Sequence, residues 1–205
     1  MIPSSDFAPQ SYFDAVSIIE GAPASVVPMS VVEMHLYGYL ACILALFRGH
    51  AVSEWGYAYS VTSEGFPFSV DLDDARRSLV RRGLIVEDEK GLISASRPAL
   101  SDELSILNRM PSLVRREEWM RAATACALAF PVGAIRYAVN QSPGMVVPVS
   151  LGQRGTLMQA DDVSLLYEEY RAVSEVLGPN VDDLLSPAVL WLSARVLRAE
   201  REAVA

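Results

Sequence analysis

The chain has 205 residues, of which 51% are hydrophobic and 20% are charged, and its formal net charge is -8 at pH 7. This composition excludes a disordered tail and is sufficient for a full hydrophobic core, built as one domain or as two small ones. The excess of acid is unfavourable for a protein that coats nucleic acid, although a local basic face can override the overall sign.

The apolar segments predict neither a membrane span nor a secretory signal. No apolar run reaches the roughly 18 uncharged residues that a membrane helix needs, and no lysine or arginine precedes Arg48. Cys42 and Cys126 both lie in apolar surroundings, which is typical of reduced, buried thiols. We therefore expect a cytoplasmic protein that makes no membrane contact.

Residues 1–29 are predicted to form an N-terminal arm with one short helix. Prolines interrupt the segment, and between them residues 11–20 place Tyr12, Val16 and Ile19 on one helical face that ends at Gly21. Two arrangements fit this pattern: an arm that docks on its own chain, and a helix that is exchanged within a dimer.

A stronger unit begins at Ser30. Ser30 and Glu33 have the spacing of a capping box, and the helix that they open is predicted to run to about Arg48, before Gly49. Because its apolar positions cover most of the circumference, we expect this helix to be central and largely buried. A second short helix is predicted over 53–61, and residues 62–70 are predicted to form a turn or loop.

Residues 71–96 are the most informative stretch. A helix is predicted first, with one apolar stripe formed by Leu72, Ala75, Leu79 and Val80. Gly83 is a predicted left-handed stop. A strand over 84–86, a tight turn over 88–91 and a returning strand over 92–95 then predict a β-hairpin.

Three helices followed by a two-stranded ribbon resemble the winged-helix family over residues 30–97. The residues that carry the resemblance are the hairpin turn at Gly91 and Leu72, Ala75, Leu79, Arg82, Gly83, Leu84 and Ile85. The pair Gly56-Tyr57 is also similar to PadR-like repressors, with a shorter spacing to Gly83 than in that group. The resemblance implies a third helix that enters the DNA major groove and a wing that contacts the neighbouring backbone.

Residues 98–205 are predicted to form a helical interaction or dimerisation domain. Helices are expected over 103–109, 115–130, 132–140, 161–177 and from Pro187 to about Glu202. The segment 141–159 is predicted to be a loop with one edge strand, because Pro148 excludes a central strand. The predicted fold class is therefore mainly α with a small β-hairpin, a winged-helix unit followed by a helical C-terminal region.

In that region the buried positions follow from helical spacing. In the helix over 161–177 we expect one buried face, formed by Val163, Leu166, Tyr167, Tyr170, Val173 and Leu177. In the last helix, with Ser186 as its N-cap, we expect Leu190, Ala194 and Leu197 to point inward. Trp191, Tyr167 and Tyr170 are aromatic groups of the kind that anchor interfaces, although core packing explains such residues more often.

No catalytic constellation is found. The only lysine, Lys90, lies in an acidic turn rather than after a glycine-rich phosphate loop. The histidines and cysteines are not spaced as zinc ligands, and the pair His50 and Ser53 lacks a third supporting group. We expect no enzyme activity, no metal and no cofactor.

The charges on the predicted third helix and the wing favour a protein partner over DNA. Arg76, Arg77 and Arg81 are the candidate DNA-binding residues, but Asp73 and Asp74 are spaced to pair with the first two. The first turn is acidic at Asp71, Asp73 and Asp74, and the wing is acidic at Glu87, Asp88 and Glu89. These six carboxylates repel phosphate, and we predict that they bind a basic protein surface instead.

Two functions follow from this pattern. The favoured one is a non-enzymatic adaptor, with a protein partner or a homodimer, similar to the kite-type accessory subunits of condensin-like complexes and more loosely to small middle subunits of related bacterial defence systems. Kite proteins usually carry two winged-helix units, and only residues 113–159 could hold a degenerate second one here. The alternative is a PadR-like DNA-binding transcriptional regulator that dimerises through its C-terminal helices.

Overall fold

The computed structural model describes residues 8–178 and 182–204. Within these ranges the chain is mainly helical with two small antiparallel sheets, so the predicted fold class is confirmed at that level. The helices are α1 (Pro9–Gly21), α2 (Val31–Phe47), α3 (Val70–Arg81), α4 (Arg97–Leu107), α5 (Pro111–Ala125), α6 (Val132–Asn140), α7 (Val146–Leu151), α8 (Ala160–Leu177) and α9 (Leu185–Val204). The strands are β1 (Met29–Ser30), β2 (Ser60–Val61), β3 (Pro67–Phe68), β4 (Ile85–Glu87), β5 (Leu92–Ala95) and β6 (Gly155–Thr156).

Helix α2 is the centre of the core. Its predicted capping box is confirmed: Ser30 Oγ accepts a hydrogen bond from the Glu33 N–H at 3.2 Å, and Glu33 Oε2 accepts one from the Ser30 N–H at 2.6 Å. Every residue over 34–46 is buried, because α1, α5, α8 and β3 all pack against the helix. The prediction of a central, buried helix is therefore confirmed.

Helix α1 is a core helix. It contains the predicted helix 11–20 and begins earlier, at Pro9. Every residue over 11–19 is buried, including the polar residues Ser11, Asp14 and Ser17, because α2, α3, α4 and α5 surround it. The single apolar face predicted from the sequence was therefore too narrow.

The first sheet contains the predicted hairpin. Strands β4 and β5 pair antiparallel around a turn at 88–91, and β1 pairs with the other edge of β5, which gives the order β1-β5-β4. Gly83 has a φ of +70°, as predicted for the left-handed stop after α3. The buried stripe of α3 is confirmed at Leu72, Ala75 and Leu79, but Val80 is 36% exposed and does not belong to it.

The prediction of a second short helix over 53–61 was wrong. Only a 3-10 turn forms, at Val52–Glu54, and the chain then enters β2. Gly56 has a φ of +99°, which no helix can contain. Strand β2 pairs with β3 on one side and with β6 on the other, so distant segments supply the hydrogen bonds that a local helix would have made.

Helices α4, α5 and α6 follow the predicted order with corrected bounds, whereas α7 was not predicted. Helix α4 begins at Arg97 rather than at 103, because Pro98 lies in its first turn, where a missing N–H costs no hydrogen bond. Helix α5 and a 3-10 turn at Cys126–Leu128 end before Pro131, as predicted. The segment 141–159 contains the predicted strand, β6, but also α7, whose first turn accommodates Pro148.

Helix α8 spans the predicted segment. Leu166, Tyr170 and Val173 are buried as predicted, and the Tyr170 hydroxyl donates to the Ile43 carbonyl at 2.6 Å. Tyr167 is 42% exposed, so the predicted buried face was too wide.

Of the inward positions predicted for α9, Leu190 packs against the core, but Ala194 and Leu197 were wrong. Helix α9 begins before the predicted N-cap, Ser186, and the Asp183 carboxylate accepts the Ser186 N–H at 2.7 Å. The buried side is set by contacts with α5, α6 and α8 and consists of Ala188, Trp191 and Leu192. Leu190 is half-buried, whereas Ala194 and Leu197 are exposed.

Within the described ranges, no single helix has the length and hydropathy to cross a membrane. Residues 111–128 and helix α6 pass that test only as a pair, and the pair is bent by 118° at its break. Trp119, Met120 and Ala123 in the first of these segments are buried in the protein core.

Candidate functional site

Helix α3 and the β4–β5 hairpin carry the candidate partner-binding and DNA-binding residues. Ser69 caps α3 by accepting the Leu72 N–H at 3.4 Å, which fixes the start of the helix. One face of α3 is turned away from the core. We call this face, together with the hairpin from 85 to 95, the α3–wing surface; its exposed or half-buried members on the helix are Val70, Asp71, Asp74, Arg77 and Arg81.

Arg76 is held inside the protein and joins α3 to the wing. Its side chain is 10% exposed, and its guanidinium lies 2.8 Å from Asp73 Oδ1 and also contacts Glu87 Oε2 of β4. Asp73 is 8% exposed. The three side chains therefore form an internal network, in which Arg76 cannot reach DNA and Asp73 cannot reach a partner.

The remaining arginines of α3 differ from one another. Arg77 Nη2 lies 2.7 Å from Asp73 Oδ2, and Arg77 Nη1 lies 3.6 Å from Asp74 Oδ1, so the intrahelical pairing predicted from the spacing is confirmed. Arg77 is nonetheless 58% exposed. Arg81 is exposed and forms no ion pair with any residue that the structure describes.

The other acidic candidates, in the first turn of α3 and at the tip of the wing, are of two kinds: some form hydrogen bonds within the described structure, and Glu89 does not. Asp88 Oδ1 accepts the N–H groups of Lys90 and Leu92 at 2.8 and 2.9 Å, which closes the hairpin turn. Asp71 Oδ1 accepts the Ala8 N–H at 3.2 Å. Glu89 is exposed, and it forms no hydrogen bond or ion pair with any residue that the structure describes.

A buried ion pair that the sequence reasoning missed lies on the other side of α1. Arg116 of α5 donates to Asp14 Oδ1 at 2.8 Å and to the Trp55 carbonyl at 2.9 Å, and the Tyr57 hydroxyl donates to Asp14 Oδ2 at 2.6 Å. The Arg116 guanidinium stacks on the Trp55 ring at 3.9 Å. The available signal was Asp14, the one charged residue between Pro9 and Ile19.

The environment of that ion pair makes it structural. Burial raises the pKa of Asp14, and Arg116 opposes that shift by stabilising the carboxylate.

Burial also raises the pKa of Tyr57 and of the Cys42 thiol, and it raises the pKa of the Cys126 thiol to about 12. Both thiols are therefore poor nucleophiles at neutral pH.

The two histidines lie in different surroundings within the described structure. His35 is fully buried, and burial lowers its pKa to about 4. His50 lies 3.6 Å from Glu54 and its ring is 4.7 Å from the ring of Trp119. Among the described residues, no three His, Cys, Asp or Glu side chains are grouped so as to hold a metal ion.

Comparisons with protein-family models, with curated proteins and with solved structures found no match to this chain. The function is therefore inferred from the topology, the charges and the exposed groups described above.

Proposed function

We propose that this chain is a non-enzymatic accessory protein that contains a winged-helix unit and binds a protein partner through the α3–wing surface. The order α1, α2, α3, β4 and β5 supplies the three helices and the ribbon of the winged-helix resemblance, with α1 in place of the helix predicted over 53–61. Strand β1 adds a third strand to the ribbon. One departure is that residues 48–69, which include β2 and β3, separate α2 from α3 in place of a short turn.

The observation that carries this proposal is that two of the three arginines on α3, Arg76 and Arg77, are paired with acidic residues of the chain itself. Phosphate binding requires side-chain cations that can reach the phosphates and displace the counterions condensed on the nucleic acid. Arg76 is instead enclosed by Asp73 and Glu87, and Arg77 is paired with Asp73 and Asp74. Arg82, at the end of α3, pairs with Glu103 of α4 at 2.6 Å.

The groups left on the surface suit a protein partner. Glu89 projects from the wing as an exposed acid, and Val70 and Val86 are 66% and 64% exposed. Apolar groups beside acidic ones fit a partner surface that offers basic and apolar side chains, because complementary charge sets the orientation and rate of association.

The second candidate function is the PadR-like regulator. Arg77 and Arg81 favour it, because both are exposed on the face of α3 that would approach DNA.

Reversal of one charge on the wing tests the accessory function. We would purify the tagged full chain from its native cells after nuclease treatment, as wild type and as Glu89→Lys. Unlike Glu87 and Asp88, Glu89 makes no hydrogen bond or ion pair with a described residue that a lysine would break, so the fold should be unchanged. The expected result is a stoichiometric partner with the wild type and several-fold lower recovery with Glu89→Lys.

The matched control is Glu175→Lys, which reverses an exposed acid on α8, outside the α3–wing surface. Equal loss of the partner in both variants would contradict the proposed surface. Binding of double-stranded DNA that weakens steeply with salt, and is lost in the double variant Arg77→Gln/Arg81→Gln, would contradict the accessory function and support the regulator.

A further inference from the structure

A cavity of about 360 Å³ lies between the start of α2 and the strands β2 and β3. Its walls are mainly apolar and include Val31, Val61, Phe66 and Phe68, of which Phe66 and Phe68 are only half-buried. The volume falls in the range of sites that enclose small ligands, and such sites combine apolar walls with a few polar groups.

The buried polar group of this cavity is His35, on the first turns of α2. Its Nδ1 accepts the Ser69 N–H at 3.2 Å, so the proton of the neutral ring is on Nε2. Burial lowers the pKa of His35 to about 4, which keeps the ring neutral at pH 7. Nε2 is buried and has no hydrogen-bond acceptor among the described residues, and the ring stacks on Phe68 at 4.5 Å.

The charged group of the cavity is Arg154, on the segment that leads into β6. It is exposed, and it is the one charged side chain on the described lining. The pKa of Glu64 is lowered mainly by hydrogen bonds from its own backbone N–H and from the Ser63 and Thr62 hydroxyls, and last by the charge of Arg154. Arg154 forms no ion pair with any described residue. Among the described residues, the cavity therefore presents the Nε2–H of His35 without a hydrogen-bond acceptor and the guanidinium of Arg154 without an ion-paired carboxylate.

We propose that this cavity binds a small apolar carboxylate, with its hydrocarbon body against Val31, Phe66 and Phe68. A carboxylate suits both His35 and Arg154, since its oxygens accept hydrogen bonds and its charge is opposite to that of Arg154. The half-buried ring of Phe68 packs against the His35 ring, so a ligand oxygen reaches Nε2 when the Phe68 ring moves aside. This site is independent of the α3–wing surface.

The test uses 3-phenylpropionate as the probe and 3-phenylpropanol as its neutral counterpart, each titrated into the full chain with labelled valine methyl groups. We expect saturable shifts of the Val31 and Val61 methyl signals, with the acid binding roughly tenfold more tightly than the alcohol. Arg154→Gln changes an exposed side chain and should remove this preference. Arg171→Gln, at an exposed position on α8, is the matched control and should keep it.

The variant His35→Gln examines the donor at the base of the cavity, and weaker binding of both probes is expected because both carry an acceptor oxygen. Three results would overturn the proposal: no saturable shift with either probe, equal affinity for acid and alcohol, or an unchanged preference in Arg154→Gln. If His35→Gln fails to fold, the preference for acid over alcohol in Arg154→Gln still tests the proposal.

Discussion

His35 shows how one buried residue can couple folding to pH. Its imidazole has no exposed surface, and it accepts a hydrogen bond from the Ser69 N–H, next to the start of α3. Burial is the largest cause of its lowered pKa; Arg76 lowers the pKa further, while Asp73 opposes both. Protonation would remove the acceptor and place a charge in the core.

The sign of the resulting pH dependence follows from the two pKa values. Folded His35 binds its proton near pH 4, whereas the unfolded chain binds it near 6.5. Between these values the unfolded state holds more protons, so the free energy of unfolding falls as the pH is lowered through this window. Once the pH is below both pKa values, His35 has lowered the free energy of unfolding by about 3 kcal/mol.

Urea unfolding at several pH values from 7 to 4.5 measures this loss. The comparison is with His35→Gln, whose side chain can still accept the Ser69 N–H but does not titrate. We expect the wild type to lose more stability than the variant over this window, because carboxylates titrate in both proteins and cancel in the difference. Identical losses in the two proteins would contradict the lowered pKa.

At the scale of elements, the approach of α2 to α3 and to Tyr59, the residue before β2, depends on a glycine. A Cβ on Gly38 would lie 2.6 Å from Tyr59 Oη and 2.9 Å from Leu72 Cδ2. Both neighbours are buried, since Tyr59 and Leu72 are 3% and 0% exposed, and a shift of Tyr59 would disturb the hydrogen bond between its hydroxyl and that of Tyr57. The glycine therefore permits the close approach at the cost of helix propensity.

Gly38→Ala is expected to lower the free energy of unfolding by about 1–3 kcal/mol, because overpacking exceeds the gain of up to about 1 kcal/mol in helix propensity. Gly133→Ala is the matched control on α6, where a new Cβ meets no atom within 4 Å. It should raise stability by a few tenths to about 1 kcal/mol. Chemical denaturation followed by circular dichroism measures both, and stabilisation by Gly38→Ala would show that the contact is not tight.

At the scale of the whole molecule, the core crosses the predicted domain boundaries. Helix α2 is covered by α1 from the predicted arm and by α5 and α8 from the predicted C-terminal domain. Strand β6 pairs with β2, and Arg116 of α5 pairs with Asp14 of α1. The predicted unit 30–97 therefore contributes to a core that it shares with both neighbours.

The isolated fragment 30–97 is consequently expected to be unfolded. Without α1, α5 and α8 it would expose most of the apolar circumference of α2, and the remaining burial would not offset the chain entropy. An amide NMR spectrum should show narrow dispersion for the fragment and wide dispersion for the full chain. A dispersed spectrum with cooperative unfolding of the fragment would instead establish 30–97 as an autonomous domain.

The ion pairs of the candidate site could be predicted from the sequence only where the two paired residues are close along the chain. The pairs of Arg77 with Asp73 and Asp74 follow from helical spacing and are present. The contact of Arg76 with Glu87 joins α3 to the wing, and no local rule specifies it. Because of that contact, the Arg76 side chain is enclosed between Asp73 and Glu87.

The sequence by itself determined the elements whose signals are local: the capped helix α2, the glycine stop after α3 and the hairpin that follows. The tertiary structure alone decided that residues 60–61 form a strand, that Asp14 meets Arg116, and which side of α9 is buried. The physical reason is the same in each case: hydrogen bonds and burial supplied by segments far along the chain outweigh a local preference of a few tenths of a kcal/mol per residue.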